Sequence, residues 1–343
     1  MRTCFGRPLS NDAQSFTPLP QAVGEAALSL PAPLSTMLAC CQAPPTSVVT
    51  GILVKDQTAS NQADTQKPNT AAAISKTMTE THPRIAYQVH PGGGPFLLMV
   101  HGFISSAAQW TDNLAALGEV CRPVTVELWG HGKSPAPTDI AWYYPDSYML
   151  QFEHIRAELG AQTWFTCGYS LGAGLSIRYA NEYSKFVRGH IFTNSVSAFA
   201  DESQIAHWHK TGPKSAADVL AGGIEAINKM PVHPRRARYL SANTRSALMV
   251  DTAQLSPLGV ANTILATTPN TSIRDIAATN AVPALMCHGS KEKRFMDYKN
   301  WAQKHMRNLS IVSLEAGHGV NMEQPDDFNA AVITFIRRHT TDA

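Results

Sequence analysis

The residues of this chain best placed to do chemistry are Gly168-Tyr169-Ser170-Leu171-Gly172. They follow a strand-like run at 163–167 and open a helix-like run at 171–183. A serine in a G-x-S-x-G pattern at a strand-to-helix turn is held outward on a strained backbone. Glycine stands on either side because a Cβ there would strike neighbouring elements. The following helix points its N-terminus at the serine, where backbone N–H groups can meet developing negative charge. That is the disposition of a hydroxyl that attacks a carbonyl carbon. Alone, the pattern also fits a Gly-rich turn with an exposed serine. Its neighbours, taken in order, argue for the nucleophile.

A serine hydroxyl needs a base within hydrogen-bond reach, and the base needs a carboxylate to fix its tautomer. His318 lies in Glu315-Ala316-Gly317-His318-Gly319-Val320, a Gly-flanked loop between the last strand-like and the last helix-like run. A base there can reach back to Ser170. The acid is expected after the strand-like run 284–288, in the loop opening at Gly289. Glu292 is the first candidate, Asp297 the near alternative, and Asp201, after the run 190–194, the third. Lys291, Lys293 and Arg294 surround Glu292 with positive charge, which favours the ionised carboxylate. The apolar strand-like run 96–101 ends in His101-Gly102-Phe103, a small loop able to turn the Phe103 N–H toward a substrate oxygen. The Leu171 N–H is the second expected donor of this oxyanion hole.

The elements that must position these groups alternate. Strand-like runs occur at 84–90, 96–101, 123–127, 163–167, 190–194, 284–288 and 309–314. Helix-like runs at 106–117, 148–159, 171–183, 296–305 and 325–339 lie between and after them. Apolar strands alternating with helices predict an α/β fold, a mostly parallel central sheet with helices on both faces. From 195 to 283 the alternation stops, in a helix-prone stretch rich in His, Arg, Trp and Met. It reads as an insertion over the carboxyl ends of the strands, where ligands bind in open α/β sheets.

With these motifs in order, the chain resembles the α/β-hydrolase superfamily over essentially all of 84–339. His101-Gly102-Phe103 matches the family's oxyanion loop. Glu127-Leu128-Trp129-Gly130-His131-Gly132-Lys133-Ser134 matches its D-x-x-G-x-G-x-S turn, with Glu127 where Asp is usual. Gly168 to Gly172 matches the nucleophile elbow, Gly289-Ser290-Lys291-Glu292 the acid loop (with Glu for the usual Asp), and Gly317-His318 the histidine loop. The resemblance implies the α/β-hydrolase fold with a helical lid inserted between strands 6 and 7, at approximately 196–283. It implies a serine hydrolase acting on carboxylic esters, thioesters or lactones through an acyl-enzyme. Ser170 at the elbow sets the chain apart from the dehalogenases and epoxide hydrolases, which place Asp there. The first half of the domain is similar to the small esterases, enol-lactonases, carbon–carbon hydrolases and menaquinone-pathway synthase-like members. Carbon–carbon cleavage or elimination by the same triad is therefore the alternative reaction. A non-catalytic small-molecule receptor on this scaffold is a second alternative.

Composition agrees with an enzyme of small molecules. The 343 residues are 44% hydrophobic and 16% charged with a formal net charge of +2, so no charged block points to nucleic acid. No apolar run approaches the ~20 residues of a membrane helix, so no stable membrane insertion is expected. The expected partner is a small acyl substrate; no cofactor or metal is expected, and oligomeric state is left open. The six cysteines have no zinc or disulfide spacing, and three sit in apolar runs as buried thiols do. A reducing, cytoplasmic location is expected. Residues 1–77 are rich in Pro, Ala, Ser, Thr and Gln without periodicity and read as a disordered leader or a gene-model extension, with Met78 as an alternative start of a 78–343 domain. Export or lipid anchoring is the alternative there, since Met37-Leu38-Ala39-Cys40 resembles a lipoprotein cleavage box.

Four further features have ordinary readings. His101 is expected to be structural, bonding backbone in its loop, and His131 is not expected to be catalytic, since its turn serves to hold a loop and His318 supplies the base. His207 and His209, two apart, cannot share a helix face and so are not expected to bind metal together. Arg235, Arg236 and Arg238 form a basic cluster in the insertion. They read as a solvated face or, alternatively, as a clamp for a substrate carboxylate, which Arg matches bidentately.

Overall fold

Continuous apolar runs such as Phe96-Leu97-Leu98-Met99-Val100 cannot leave a face in water, so they pair as strands covered on both sides. The computed structural model describes residues 83–237 and 240–340. The expected leader 1–77, Met78, Cys4, Cys40, Cys41 and Arg238 lie outside these. Among the described residues seven strands form one sheet: β1 (Tyr87–Val89), β2 (Phe96–Val100), β3 (Arg122–Val126), β4 (Trp164–Gly168), β5 (Val187–Thr193), β6 (Ala284–Gly289) and β7 (Leu309–Leu314). Their order is β1-β3-β2-β4-β5-β6-β7. Only β1 is antiparallel, against β3; every other pair is parallel.

The helices used below are α1 (Thr111–Leu117), α2 (Pro145–Glu158), α3 (Leu171–Glu182), α4 (Glu202–Asn228), α5 (Ala242–Thr252), α6 (Pro257–Asn262), α7 (Met296–His305) and α8 (Pro325–Thr340). Side chains alternate across the sheet and so divide the core. Leu98 and Val100 of β2 pack with Tyr148 and Phe152 of α2 and Leu175 and Tyr179 of α3. Leu97 and Met99 face the other way, onto Trp110, Leu117 of α1, and Phe328, Val332 and Phe335 of α8. α7 adds Ala302 to a third cluster with Phe192 and Met286. Cys121, Cys167 and Cys287 are free thiols buried in this core, and burial raises the pKa of each.

Two expectations shift. β1 is shorter than 84–90 because the Ile85 and Ala86 N–H groups are taken by side chains, Gln151 Oε1 and Ser134 Oγ, instead of a ladder. The helices between Ser195 and Pro283 lie between the fifth and sixth strands, not between strands 6 and 7, because a single strand precedes β2 in this sheet. α4 carries Pro213 and breaks helical geometry at Gly223, whose φ is +56°. Among the described residues no helix is long and apolar enough to cross a membrane.

Candidate active site

β4 ends at Gly168 and α3 begins at Leu171, so Ser170 occupies the corner as the helix N-cap. Its φ of +51° and ψ of −116° are strained for a residue with a Cβ, a cost of about 1–3 kcal/mol at such positions. The corner is held from both sides. Tyr169 N–H donates to Val100 O at 3.0 Å, and Gly172 N–H to Tyr169 O at 2.8 Å. The space is filled: a Cβ on Gly168 would lie 2.3 Å from Gly172 O, and one on Gly172 would lie 2.3 Å from Val100 O. The side-chain hydroxyl of Ser170 makes no capping bond.

The loop after β7 brings His318 to this corner, with Nε2 at 3.0 Å from Ser170 Oγ. The loop after β6 brings Glu292, with Oε2 at 2.9 Å from His318 Nδ1. Because Glu292 accepts at Nδ1, that nitrogen carries the proton and Nε2 presents a lone pair to the serine. The Tyr169 ring stands edge-on to the imidazole at 5.3 Å. Burial would raise the Glu292 pKa, but the bonds from His318, Asn194 and Arg294 outweigh it and hold the carboxyl down at about 2. Arg294 Nε donates to Oε1 at 2.7 Å. Of the other flanking cations, Lys291 pairs instead with Glu315 at 3.8 Å.

That depressed value has a consequence for stability. A folded pKa of about 2 lies below the ordinary 4.5, so the stabilising contribution is present above about pH 4.5 and is lost as pH falls toward 2. The gap between the unfolding free energies of the wild type and Glu292→Gln should therefore narrow steadily as pH falls from about 5.5 toward about 2. Chemical denaturation across that range measures it; a constant gap would contradict the assignment.

The alternative acids are occupied elsewhere. Asp201 caps α4, its Oδ1 accepting from Gln204 N–H and Ser203 Oγ–H at 2.9 and 2.7 Å. Asp297 is exposed in the first turn of α7. His101 is fully buried, with Nδ1 donating to Gly102 O and Nε2 accepting Leu128 N–H. His131 bonds Trp129 O through Nδ1, and burial pushes its pKa down to about 3. Glu127 Oε1 accepts Ala107 N–H, tying two loops together. His207 and His209 are exposed on α4.

Leu171 is the first helical residue of α3, so its N–H has no acceptor within the helix. Phe103 is set between two fixed points. Gly102 N–H donates to Gln109 Oε1 at 3.2 Å, and Ile104 is held at φ +54°. Phe103, Ser170 and His318 share the lining of a cavity of about 230 Å³. Pro231, His233 and Arg236 from the segment after α4, with Leu248 of α5, close its other side. Arg235 is exposed and outside that lining, and Arg238 lies beyond the described residues.

Three positioning residues were not anticipated. Asn194, at the end of β5, donates to Glu292 Oε2 and Gly289 O and accepts from Gly289 N–H. Gln109 anchors the Gly102 loop. Glu323, in the turn Val320–Glu323, accepts from Gly317 N–H at 2.7 Å and Gly319 N–H at 2.9 Å, gripping both neighbours of His318. A carboxylate four residues past a G-H-G loop was the available signal, since acids favour the first turn of a helix. Glu323→Ala should free the loop and lower kcat by about tenfold or more, since small misplacements of reacting groups are costly. Steady-state kinetics with an unchanged kcat would remove Glu323 from this role.

Residues 97–331, more than half of the chain, match the sequence model of the alpha/beta hydrolase family. Carboxylesterase YbfK of Bacillus subtilis is 22% identical over 256 residues, covering 72% of this chain and 81% of that protein. Probable lysophospholipase BODYGUARD 3 of Arabidopsis thaliana is 28% identical over 96 residues, 27% of this chain. The match spans only 19% of that relative and 28% of the mycobacterial relatives beside it. In three dimensions the chain is similar to MenH from S. aureus, with a TM-score of 0.66 and 17% identity over 74% of this chain and 98% of that one.

Proposed function

The chain belongs to the alpha/beta hydrolase family, and within it we propose a serine hydrolase of small ester-like substrates: carboxylic esters, thioesters or lactones. The relay carries this reading: Ser170 Oγ 3.0 Å from His318 Nε2, and His318 Nδ1 2.9 Å from Glu292. His318 takes the Ser170 proton as Oγ adds to the carbonyl carbon. The carbonyl oxygen becomes an oxyanion held by the N–H groups of Phe103 and Leu171. His318 then protonates the leaving group, and the acyl group stays on Ser170. Water, deprotonated by His318, releases the acid and restores the serine. Glu292 stays ionised throughout and holds the imidazolium in place. Residues 196–283 serve as the lid over the site, within a 78–343 hydrolase domain. Alignment with a carboxylesterase over 72% of the chain supports ester chemistry.

Stopped-flow hydrolysis of a p-nitrophenyl ester tests the covalent route. The expected trace is a burst of p-nitrophenol approaching one equivalent per chain when deacylation is slower. Turnover of an ester with no covalent Ser170 adduct in rapid-quench mass spectrometry would overturn it.

A further inference from the structure

Resting on the serine-hydrolase reading, we propose that the substrate is a compact ester bearing a carboxylate, and that His233 and Arg236 of the lid, with Arg294 at the rim, recognise that carboxylate. The first observation is an unused donor. His233 is 1% exposed and caps the turn Pro234–Arg236, its Nδ1 accepting Arg235 N–H at 3.1 Å. That bond places the proton of a neutral imidazole on Nε2. His233 Nε2 is buried with no partner among the described residues, although the side chain lines the cavity over Ser170. Burial, and then the charges of Arg235 and Arg236, lower the His233 pKa and keep the ring neutral. A buried N–H without an acceptor is unfavourable, and a ligand oxygen would satisfy it.

The second observation is the character of the lining. Arg236 and Arg294 both contribute to it, and no Asp or Glu does. Each arginine spends little of its donor capacity within the protein: Arg236 on Lys229 O at 3.2 Å, Arg294 on Glu292 Oε1 at 2.7 Å. Gln109 adds a donor of the same kind. Its side chain belongs to the same lining; its Oε1 must face the Gly102 N–H, and its Nε2 is buried with no partner among the described residues. Arg294 is shared with Glu292, so the charge free to select an anion is chiefly that of Arg236, with the remaining N–H groups of Arg294 as further donors. The small cavity, whose lining also includes Leu240 and Leu248, suits a short aliphatic spacer between ester and carboxylate. Of the two described arginines of the basic cluster, the role falls to Arg236 and not to Arg235, with His233 and Arg294 added.

The test compares two phenyl esters of the same shape, the half-ester of glutaric acid and its neutral carboxamide analogue, in parallel with fluorophosphonate labelling of Ser170. Wild-type kcat/KM should favour the anion by about tenfold to a hundredfold, the range of a charged hydrogen bond. That ratio should fall toward one in Arg236→Gln/Arg294→Gln. It should fall in His233→Leu and recover in part in His233→Gln, which keeps a side-chain N–H. A merely structural role would lower both rates and leave the ratio unmoved. A wild-type ratio of one or below, in protein labelled at Ser170, overturns the carboxylate site and leaves the hydrolase reading standing. No label and no hydrolysis of either ester rejects both.

Discussion

Ser170→Ala should lower kcat for an ester substrate by about 10⁴–10⁶ while leaving the fold intact, as loss of the nucleophile does in serine triads. The fold should survive because the Ser170 hydroxyl caps nothing and, among the described residues, hydrogen-bonds only His318. The strained φ of +51° persists with alanine, so stability should change little. His318→Ala should cost about as much, and the double variant little more than either single one, because the two groups act as one unit. Activity of the serine variant within about tenfold of wild type would mean another group attacks the substrate. A carbon–carbon hydrolase using Ser170 only to relay protons would show a smaller and separable loss.

The second large effect concerns the two loops that carry the histidine and its acid. Gly289 closes β6, three residues before Glu292, and packs against the backbone before His318. A Cβ at Gly289 would lie 1.9 Å from Gly317 O and 2.9 Å from Ala316 O. Neither atom is a flexible side-chain end, so the loops must separate. Gly289→Ala should therefore cost about 1–3 kcal/mol, the range for overpacking. It should also lower kcat by about 10² or more by widening the 2.9 Å contact between Glu292 and His318. Gly93→Ala is the control, since a Cβ there meets nothing within 4 Å. Equal behaviour of the two variants in denaturation and kinetics would contradict the packing argument.

Much of this arrangement is readable along the chain because its signals are local. The elbow glycines, the G-H loop and the position of Glu292 after a strand are each set by a few consecutive residues, and the loop opening at Gly289 favours Glu292 over Asp201, which follows an earlier strand, and Asp297, which lies further on in the first turn of α7. The strand ends are less legible. β5 begins at Val187, ahead of the 190–194 run, because Arg188 and Gly189 interrupt the apolar pattern; the register with β4 shifts at Arg188, and Val187 and Gly189 pair with Trp164 and Phe165. Asn194, Gln109 and Glu323 are polar residues whose roles exist only once distant segments meet. Asn194 bonds residues 95 and 98 positions away. His233 is hidden for the same reason: nothing in Pro231-Val232-His233-Pro234-Arg235 marks it out, and only the fold brings it into the cavity lining that includes Ser170.

The central claim is that Ser170 is an activated nucleophile. Labelling the intact protein with a fluorophosphonate and mapping the modified peptide tests it most directly. The account predicts one adduct per chain, on Ser170, abolished in His318→Ala and retained in Gly93→Ala. A folded protein that takes no adduct, or takes it equally without His318, would contradict it.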